Sequence, residues 1–388
     1  MMFNFARQIN GFMASIKLEN IKPELLRWAI QRAGFSEEKA IDVFPKLGDW
    51  LSGAKLPTMS QLQKFASKFH TPFGFLFLDN APVESVPIPM FRGEAGHTNH
   101  FDLDVYDTVL IIQNRQNWLE DYLRDNDIEI CSIVNIVTTH TPISETVTIL
   151  RERLQLEPKW AFSLSNPDYA VNHLTDRLEQ LGVFVAFNGV VGNDSHRVLK
   201  VSECRGFALV NDVAPYIFVN SQDSKPAQLF TLIHETVHIM LGASAGDAGY
   251  GEDENYHNDT ERYCDRVAAE FLVPTDILQE VWCNDLKRIA HKFKVSELVV
   301  ARRGRELGLL SSEEYRKFWL QYSNRVRNVS TNSRPGGDFY RTSAKRVGKT
   351  FAIHVRNAVN SRQLSYTEAY RLTGLQGRTY DHFMQNNV

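Results

Sequence analysis

Two histidines four residues apart, His234 and His238, lie in a run where Leu229, Phe230, Ile233, Val237, Met240 and Leu241 recur at helical spacing. At 3.6 residues per turn, positions i and i+4 share a face, so both imidazoles point the same way. That spacing lets them hold one Zn²⁺ at about 2.1 Å each. Leu232 and Ile239 make the far side apolar as well. The pattern is that of a buried helix, Leu229 to Leu241, with one polar window, and polar groups in such a window need a partner. Glu235 lies roughly 100° further round. From there it can miss the metal and act as general base on the attacking water of a hydrolase.

A catalytic zinc site generally has three protein ligands and an open position. After His238 the sequence turns polar, Gly242 to Asp259, and a second helical pattern follows from Glu261 to Pro274. Asn258 or Asp259 can cap its start, and Pro274 stops it. Glu261 and Asp265 are again i and i+4. Glu261 can ligate the metal, and Asp265 can hold a ligating histidine through its free ring N–H. Glu270 is a rival ligand, and a shift of the helix along its axis would decide between the two carboxylates. Ala268 and Ala269 would let this helix lie close to the first.

The H-E-x-x-H helix, the E-x-x-x-D pair and the run Ala268-Ala-Glu-Phe-Leu-Val-Pro274 together resemble the ImmA/IrrE family of metallopeptidases. The approach fits too: Cys204-Arg-Gly-Phe-Ala-Leu-Val210, Pro215-Tyr-Ile-Phe-Val-Asn220, then Phe230-Thr-Leu-Ile-His234. The resemblance covers Leu174 to Trp319. It implies a zincin-like α+β core with His234, His238 and Glu261 as Zn²⁺ ligands and Glu235 as base. It also implies a protein partner, a repressor or toxin, in phage immunity, stress regulation or a toxin–antitoxin setting.

Composition narrows the class. The chain is 43% hydrophobic and 23% charged, as in ordinary soluble proteins, and has no long apolar run to span a membrane. Met1 to Met13 lacks the features of a signal peptide. Cys131, Cys204, Cys264 and Cys283 are widely spaced and form no C-x-x-C pair. They read as small buried hydrophobes in a reducing, cytoplasmic setting. His97 and His100 have no third ligand in sight, and His140 stands alone; all three read as non-metal.

The formal net charge of −3 conceals an asymmetry. Residues 1–90 hold 10 basic and 8 acidic groups, residues 324–388 hold 11 and 3, and the middle holds 22 and 35. A basic end on an acidic body suits either an anionic partner or an internal dock.

Residues 1–80 read as a compact helical unit. Helices are expected over Pro23–Ala33, from Ser36, over Pro45–Leu51 and Met59–Phe69, with a short one at Pro72–Phe77. Trp50-Leu-Ser-Gly53, Pro57-Thr58, Gln61-Leu62, Phe65-Ala66 and Pro72 resemble the Xre-type helix-turn-helix, which would read a major groove. Yet the presumed recognition helix, Lys46 to Ser52, has no Arg, Asn or Gln for base edges, and Glu37, Glu38 and Asp42 repel phosphate. The competing role is protein docking or dimerisation, which would make the chain a homodimer.

Residues 81–165 read as a helical linker region: a proline-marked stretch at Pro82, Pro87 and Pro89, then a long helix, Leu103 to Asp125. Residues 166–325 form the expected metallopeptidase domain. Within it, Ile289 to Leu309 has a second helix-turn-helix outline, read as structural cover. Residues 326–388 are expected to be a basic helical segment after a joint at Ser333–Asp338, with helices at Lys349–Ser361, Tyr366–Leu372 and Arg378–Phe383. Its Leu364–Gly374 stretch suggests a third small helix-turn-helix. Lys345, Arg346, Lys349, Arg356, Arg362, Arg371 and Arg378 would touch phosphate, or else form a cap against the acidic centre.

The expected fold is mostly α, with an α+β zincin-like core and an N-terminal helix-turn-helix domain. Two functions fit. One is a zinc endopeptidase that cleaves a specific protein, with Arg205 to Val210 as the strand that aligns substrate by β-addition and Tyr256, His257 or Tyr263 helping the oxyanion. The other is a non-proteolytic antitoxin or transcriptional regulator that uses the same fold to bind its partner and DNA.

Overall fold

The computed structural model describes residues 17–18, 20–84, 102–128, 131–247, 259–329 and 339–388. The chain divides into two compact units: the residues up to Val86 together with 98–103, and Asp104 to Val388 with 87–97. The readings placed on Met1–Met13, Pro87, Pro89, His97, His100, Tyr256, His257, Asn258 and Ser333–Asp338 lie outside the described residues.

In the first unit the helices are α1 (Pro23–Arg32), α2 (Glu37–Val43), α3 (Leu47–Leu51) and α4 (Met59–Lys68), followed by a 3₁₀ turn at Phe73–Phe77. Local signals set their starts. The Ser36 hydroxyl accepts from Lys39 N, and Thr58 and Gln61 form a capping box on α4. Leu26, Ile30, Leu47, Trp50, Leu62, Phe65 and Phe69 build the core.

The second unit is mostly helical around a small mixed sheet. Its order is α5 (Leu103–Asp125), α6 (Ile143–Leu154), α7 (Pro167–Gln180), β1 (Phe184–Asn188), β2 (Val190–Val191), β3 (Asp194–Val198), β4 (Gly206–Leu209) and β5 (Tyr216–Asn220). Then come α8 (Lys225–Leu241), β6 (Ala245–Asp247), α9 (Asp259–Leu272), α10 (Thr275–Val281), α11 (Leu286–Phe293), α12 (Glu297–Glu306) and α13 (Ser312–Val329). The chain closes with α14 (Phe339–Val347), α15 (Lys349–Asn360), α16 (Tyr366–Thr373) and α17 (Gly377–Asn386). The sheet order is β1-β5-β4-β6; β1 runs parallel to β5, and the other pairs are antiparallel. β2 and β3 form a separate hairpin.

The helix of the H-E-x-x-H pair, α8, begins at Lys225 rather than Leu229, because the Ser224 hydroxyl caps Ala227 N and Pro226 suits the first turn. It ends where Gly242 turns left-handed, at φ 71°. Every residue from Gln228 to Met240 is buried, so this helix is enclosed on all sides.

Two boundaries move. From Asp104 on, the region expected as a helical linker is part of the second unit. Gln116 on α5 donates to Leu209 O and Ala214 O, each at 2.8 Å, and α6 contributes Val147, Leu150 and Leu154 to the main core. The described part of the expected C-terminal segment also belongs to that unit. Arg115 donates to Arg346 O and Leu372 O at 2.8 Å, and Tyr216 Oη donates to Val347 O at 3.3 Å. Both segments carry apolar faces that a free linker could not bury: Val109, Ile112 and Leu119 on α5, and Phe351 and Val355 on α15.

Candidate metal centre

Helices α8 and α9 meet face to face. The small side chains of Ala268 and the buried Cys264 permit the close approach. His234, His238 and Glu261 are 2%, 1% and 5% exposed, and their donor atoms converge. His234 Nε2 is 3.1 Å from Glu261 Oε2, His238 Nε2 is 3.0 Å from Glu261 Oε1, and the two Nε2 atoms are 3.2 Å apart. Tetrahedral zinc with bonds of about 2.0–2.1 Å places its ligand atoms about 3.3 Å from one another. The donor set and spacing therefore fit such an ion, and the cluster could hold a metal.

Asp265, one turn beyond Glu261, stands behind the cluster. Its Oδ1 is 3.0 Å from His234 Nδ1. With the Nδ1 proton donated in a hydrogen bond to Asp265, the ring can turn its Nε2 lone pair to an ion once Nε2 gives up its own proton.

The charges of the cluster are mutual. Burial pushes the His234 imidazole down, but hydrogen bonds to Asp265 and Glu261 outweigh it and hold the group well above its ordinary value. Burial pushes Glu261 up, and hydrogen bonds from His234 and His238 bring it down to about 2. Beside them, burial pushes the Cys264 thiol well up, so this cysteine behaves as a small apolar group.

Glu235 is fully buried on α8. Strand β4 crosses it at Gly206, where an added Cβ would lie 2.5 Å from Thr231 Cγ2, 2.8 Å from Phe218 O and 3.5 Å from Glu235 Oε1. The close approach of strand to helix thus depends on the missing side chain. In sequence, a glycine inside a strand pattern is the signal for such a close approach.

Three expectations are corrected. Glu270 is not near the histidines: its carboxylate holds the Arg303 guanidinium, Thr275 N at 3.0 Å and Thr275 Oγ1 at 2.8 Å, tying α9 to α10 and α12. Arg303 accordingly belongs to the structural cover. Tyr263 cannot help an oxyanion, because its hydroxyl lies 2.5 Å from Thr146 Oγ1 and donates to Thr141 O at 2.9 Å, on the α9 face opposite Glu261. Strand β4 cannot accept an added strand, since β5 takes one edge and β6 the other. His140 is exposed. Cys131 and Cys204 are also buried, and Cys283 is half-buried.

Residues 178–304 match the family model described as the IrrE N-terminal-like domain, Peptidase_M78. That interval holds the whole His–His–Glu cluster and falls within the stretch that resembled ImmA/IrrE. The second unit therefore carries a peptidase-like domain of the type associated with metal-dependent peptidases. Residues 347–386 match a second model, a domain of unknown function, DUF8813. No match to a curated protein was found. Among the described residues, no helix is long and apolar enough to cross a membrane.

Proposed function

We propose that the second unit is a zinc-dependent endopeptidase that acts on one specific protein partner, a repressor or toxin, in an immunity, stress or toxin–antitoxin setting. The observation that carries this reading is the convergence of two histidine nitrogens and one carboxylate, 3.0–3.2 Å apart, with a second carboxylate behind one histidine.

His234, His238 and Glu261 would hold the ion. Zinc, when bound, acidifies water and polarises a carbonyl oxygen. Asp265 fixes the His234 ring so that Nε2 points inward. Glu235, next in sequence to His234, takes the proton of the attacking water and passes it to the departing amide nitrogen, which general acid–base catalysis requires of one group in both directions. Burial around α8 excludes bulk water from these transfers. The N-terminal unit would be the Xre-type helix-turn-helix of such regulators, acting in the cytoplasm.

The test is metal analysis of the purified chain together with co-expression of the protein from the neighbouring reading frame. About one Zn²⁺ per chain is expected, with cleavage of the neighbour. Full zinc retention in the His234→Ala/His238→Ala double variant overturns the metal site. The paired β4 edge favours a second reading, a binding-only regulator or antitoxin. Tight binding of an uncleaved neighbour would establish it.

A further inference from the structure

The C-terminal helices form a second place where chemistry collects. α16 is capped by Ser365, whose hydroxyl accepts from Glu368 N while the Glu368 carboxylate accepts from Ser365 N, a complete capping box. It ends at Gly374 in the left-handed conformation, φ 72°. Gly374, Leu375 and Gln376 make the turn, and α17 starts at Gly377. Ala369, Thr373, Leu375, Tyr380 and Phe383 are buried, and the Tyr380 ring meets those of Tyr370 at 5.2 Å and Tyr366 at 6.2 Å across the two helices. A three-residue turn with glycine between two short helices has the spacing of a helix-turn-helix.

The body holds the turn fixed. Arg115 Nε donates to Leu372 O at 2.8 Å, and Asn193 Nδ2 donates to Gly374 O at 2.7 Å. A Cβ at Gly374 would meet Asn193 Nδ2 at 2.8 Å, so the contact depends on glycine.

The outward face of α17 is the informative part. Tyr380, Phe383 and Met384 point in. On the opposite side, Arg378, His382 and Gln385 form one stripe at i, i+4 and i+7, and all are exposed, as is Gln376 at the N-cap. Arg and Gln are the side chains that pair with guanine and adenine edges in a major groove. The basic residues around them sort into two groups. Lys345 pairs with Asp168 at 3.2 Å, Arg346 donates to Asn193 Oδ1 at 3.4 Å and Arg356 donates to Val388 O at 2.6 Å. Lys349, Arg362, Arg371 and Arg378 are exposed. Residues 349–388 carry five basic and two acidic groups, complementary to phosphate. The contrast with α3 is direct: there Leu47, Trp50 and Leu51 are buried and Asp49 is paired with Lys55 at 2.8 Å, which leaves no base-reading stripe.

We propose that α16 and α17 form a helix-turn-helix that reads duplex DNA by sequence, with α17 in the major groove, Gln376, Arg378, His382 and Gln385 on base edges, and Arg362 and Arg371 on phosphates. The proposal stands independently of the metal centre.

The experiment selects binders of the full chain from a randomised duplex library, then measures the enriched duplex by fluorescence anisotropy at two salt concentrations. A defined motif should emerge. Arg378→Ala and Gln385→Ala should each relax preference at one or two positions, losing about 5- to 150-fold of discrimination. Arg371→Ala should weaken all sequences alike and flatten the salt slope by about one phosphate. All three residues are exposed, and circular dichroism verifies that the variants remain folded. No enrichment, or a motif unchanged in the Arg378→Ala/Gln385→Ala double variant, overturns the proposal. Enrichment of single strands over duplex, or retention of a protein partner that needs Arg378 while duplex does not bind, overturns it equally.

Discussion

Asp265 Oδ1 lies 3.0 Å from Nδ1 of His234, on the side of the ring away from Glu261. The carboxylate therefore sets both the tautomer and the tilt of a proposed ligand without itself joining the cluster. Asp265→Asn can present an amide that donates where the ring must donate, so zinc affinity should fall about 10- to 100-fold with the fold intact. Competition with a zinc chelator measures this. Unchanged affinity would remove Asp265 from the site.

Glu235→Gln should retain zinc and lose cleavage of the partner by at least about 10²- to 10⁴-fold. Metal content and a single-turnover cleavage assay, run on one preparation, separate the two effects. A variant that cleaves as fast as the wild type would exclude Glu235 as the base.

Gly206→Ala places a methyl group against Thr231 and the Phe218 carbonyl. Overpacking of this kind costs about 1–3 kcal/mol, and here it also pushes β4 away from Glu235. Chemical denaturation should show the loss, and cleavage should drop with it. Unaltered stability and activity would show that the strand shifts freely.

Glu270→Ala should leave zinc content unchanged, because Glu270 serves Arg303 and Thr275 instead of the histidines. The cost should be structural, roughly 1–3 kcal/mol from unmade hydrogen bonds on α10 and α12. Loss of zinc in this variant would reinstate Glu270 as a ligand.

Glu179, on α7, receives the Thr350 hydroxyl at 2.8 Å across the α7–α15 contact. Burial pushes it up; Thr350 and Lys349 pull it down and Asp176 pushes it further, leaving it at about 7. A carboxyl raised in the folded state binds its proton more tightly there than when unfolded. Stability should thus fall as pH rises from 4.5 through about 7 and level off above, by at most about 3 kcal/mol and less where solvent screens it. Glu179→Gln should flatten that part of the profile in urea titrations at pH 5 and pH 8. An identical profile would place the pH dependence elsewhere.

The pairing of side chains within the candidate metal centre was legible because it is local. His234 and His238, and again Glu261 and Asp265, are pairs on single helices, and spacing alone puts each pair on one face. Glu261 and Glu270 lie nine residues apart on α9, on opposite faces, so spacing shows that they cannot both face α8 but not which of the two faces does. Apolar periodicity marks the long helix α5 but says nothing of its role. Arg115 and Gln116 look like solvated residues in sequence, and their carbonyl partners lie 93 to 257 residues away. The covering of β4 by β6 was hidden for a similar reason: a three-residue strand carries too little pattern to announce itself.

Arg115 also governs when the second unit can close. Its guanidinium waits for carbonyls 231 and 257 residues further along the chain. At roughly 5–20 residues per second, Leu372 is synthesised about 10–50 s after Arg115. For most of that interval Arg115 lacks its carbonyl partners, and the Phe351 ring that lies 5.7 Å from Trp118 is still to be made. α5 can therefore take its final setting only after both carbonyls have been made, so a chain cut before Arg346 should lack it.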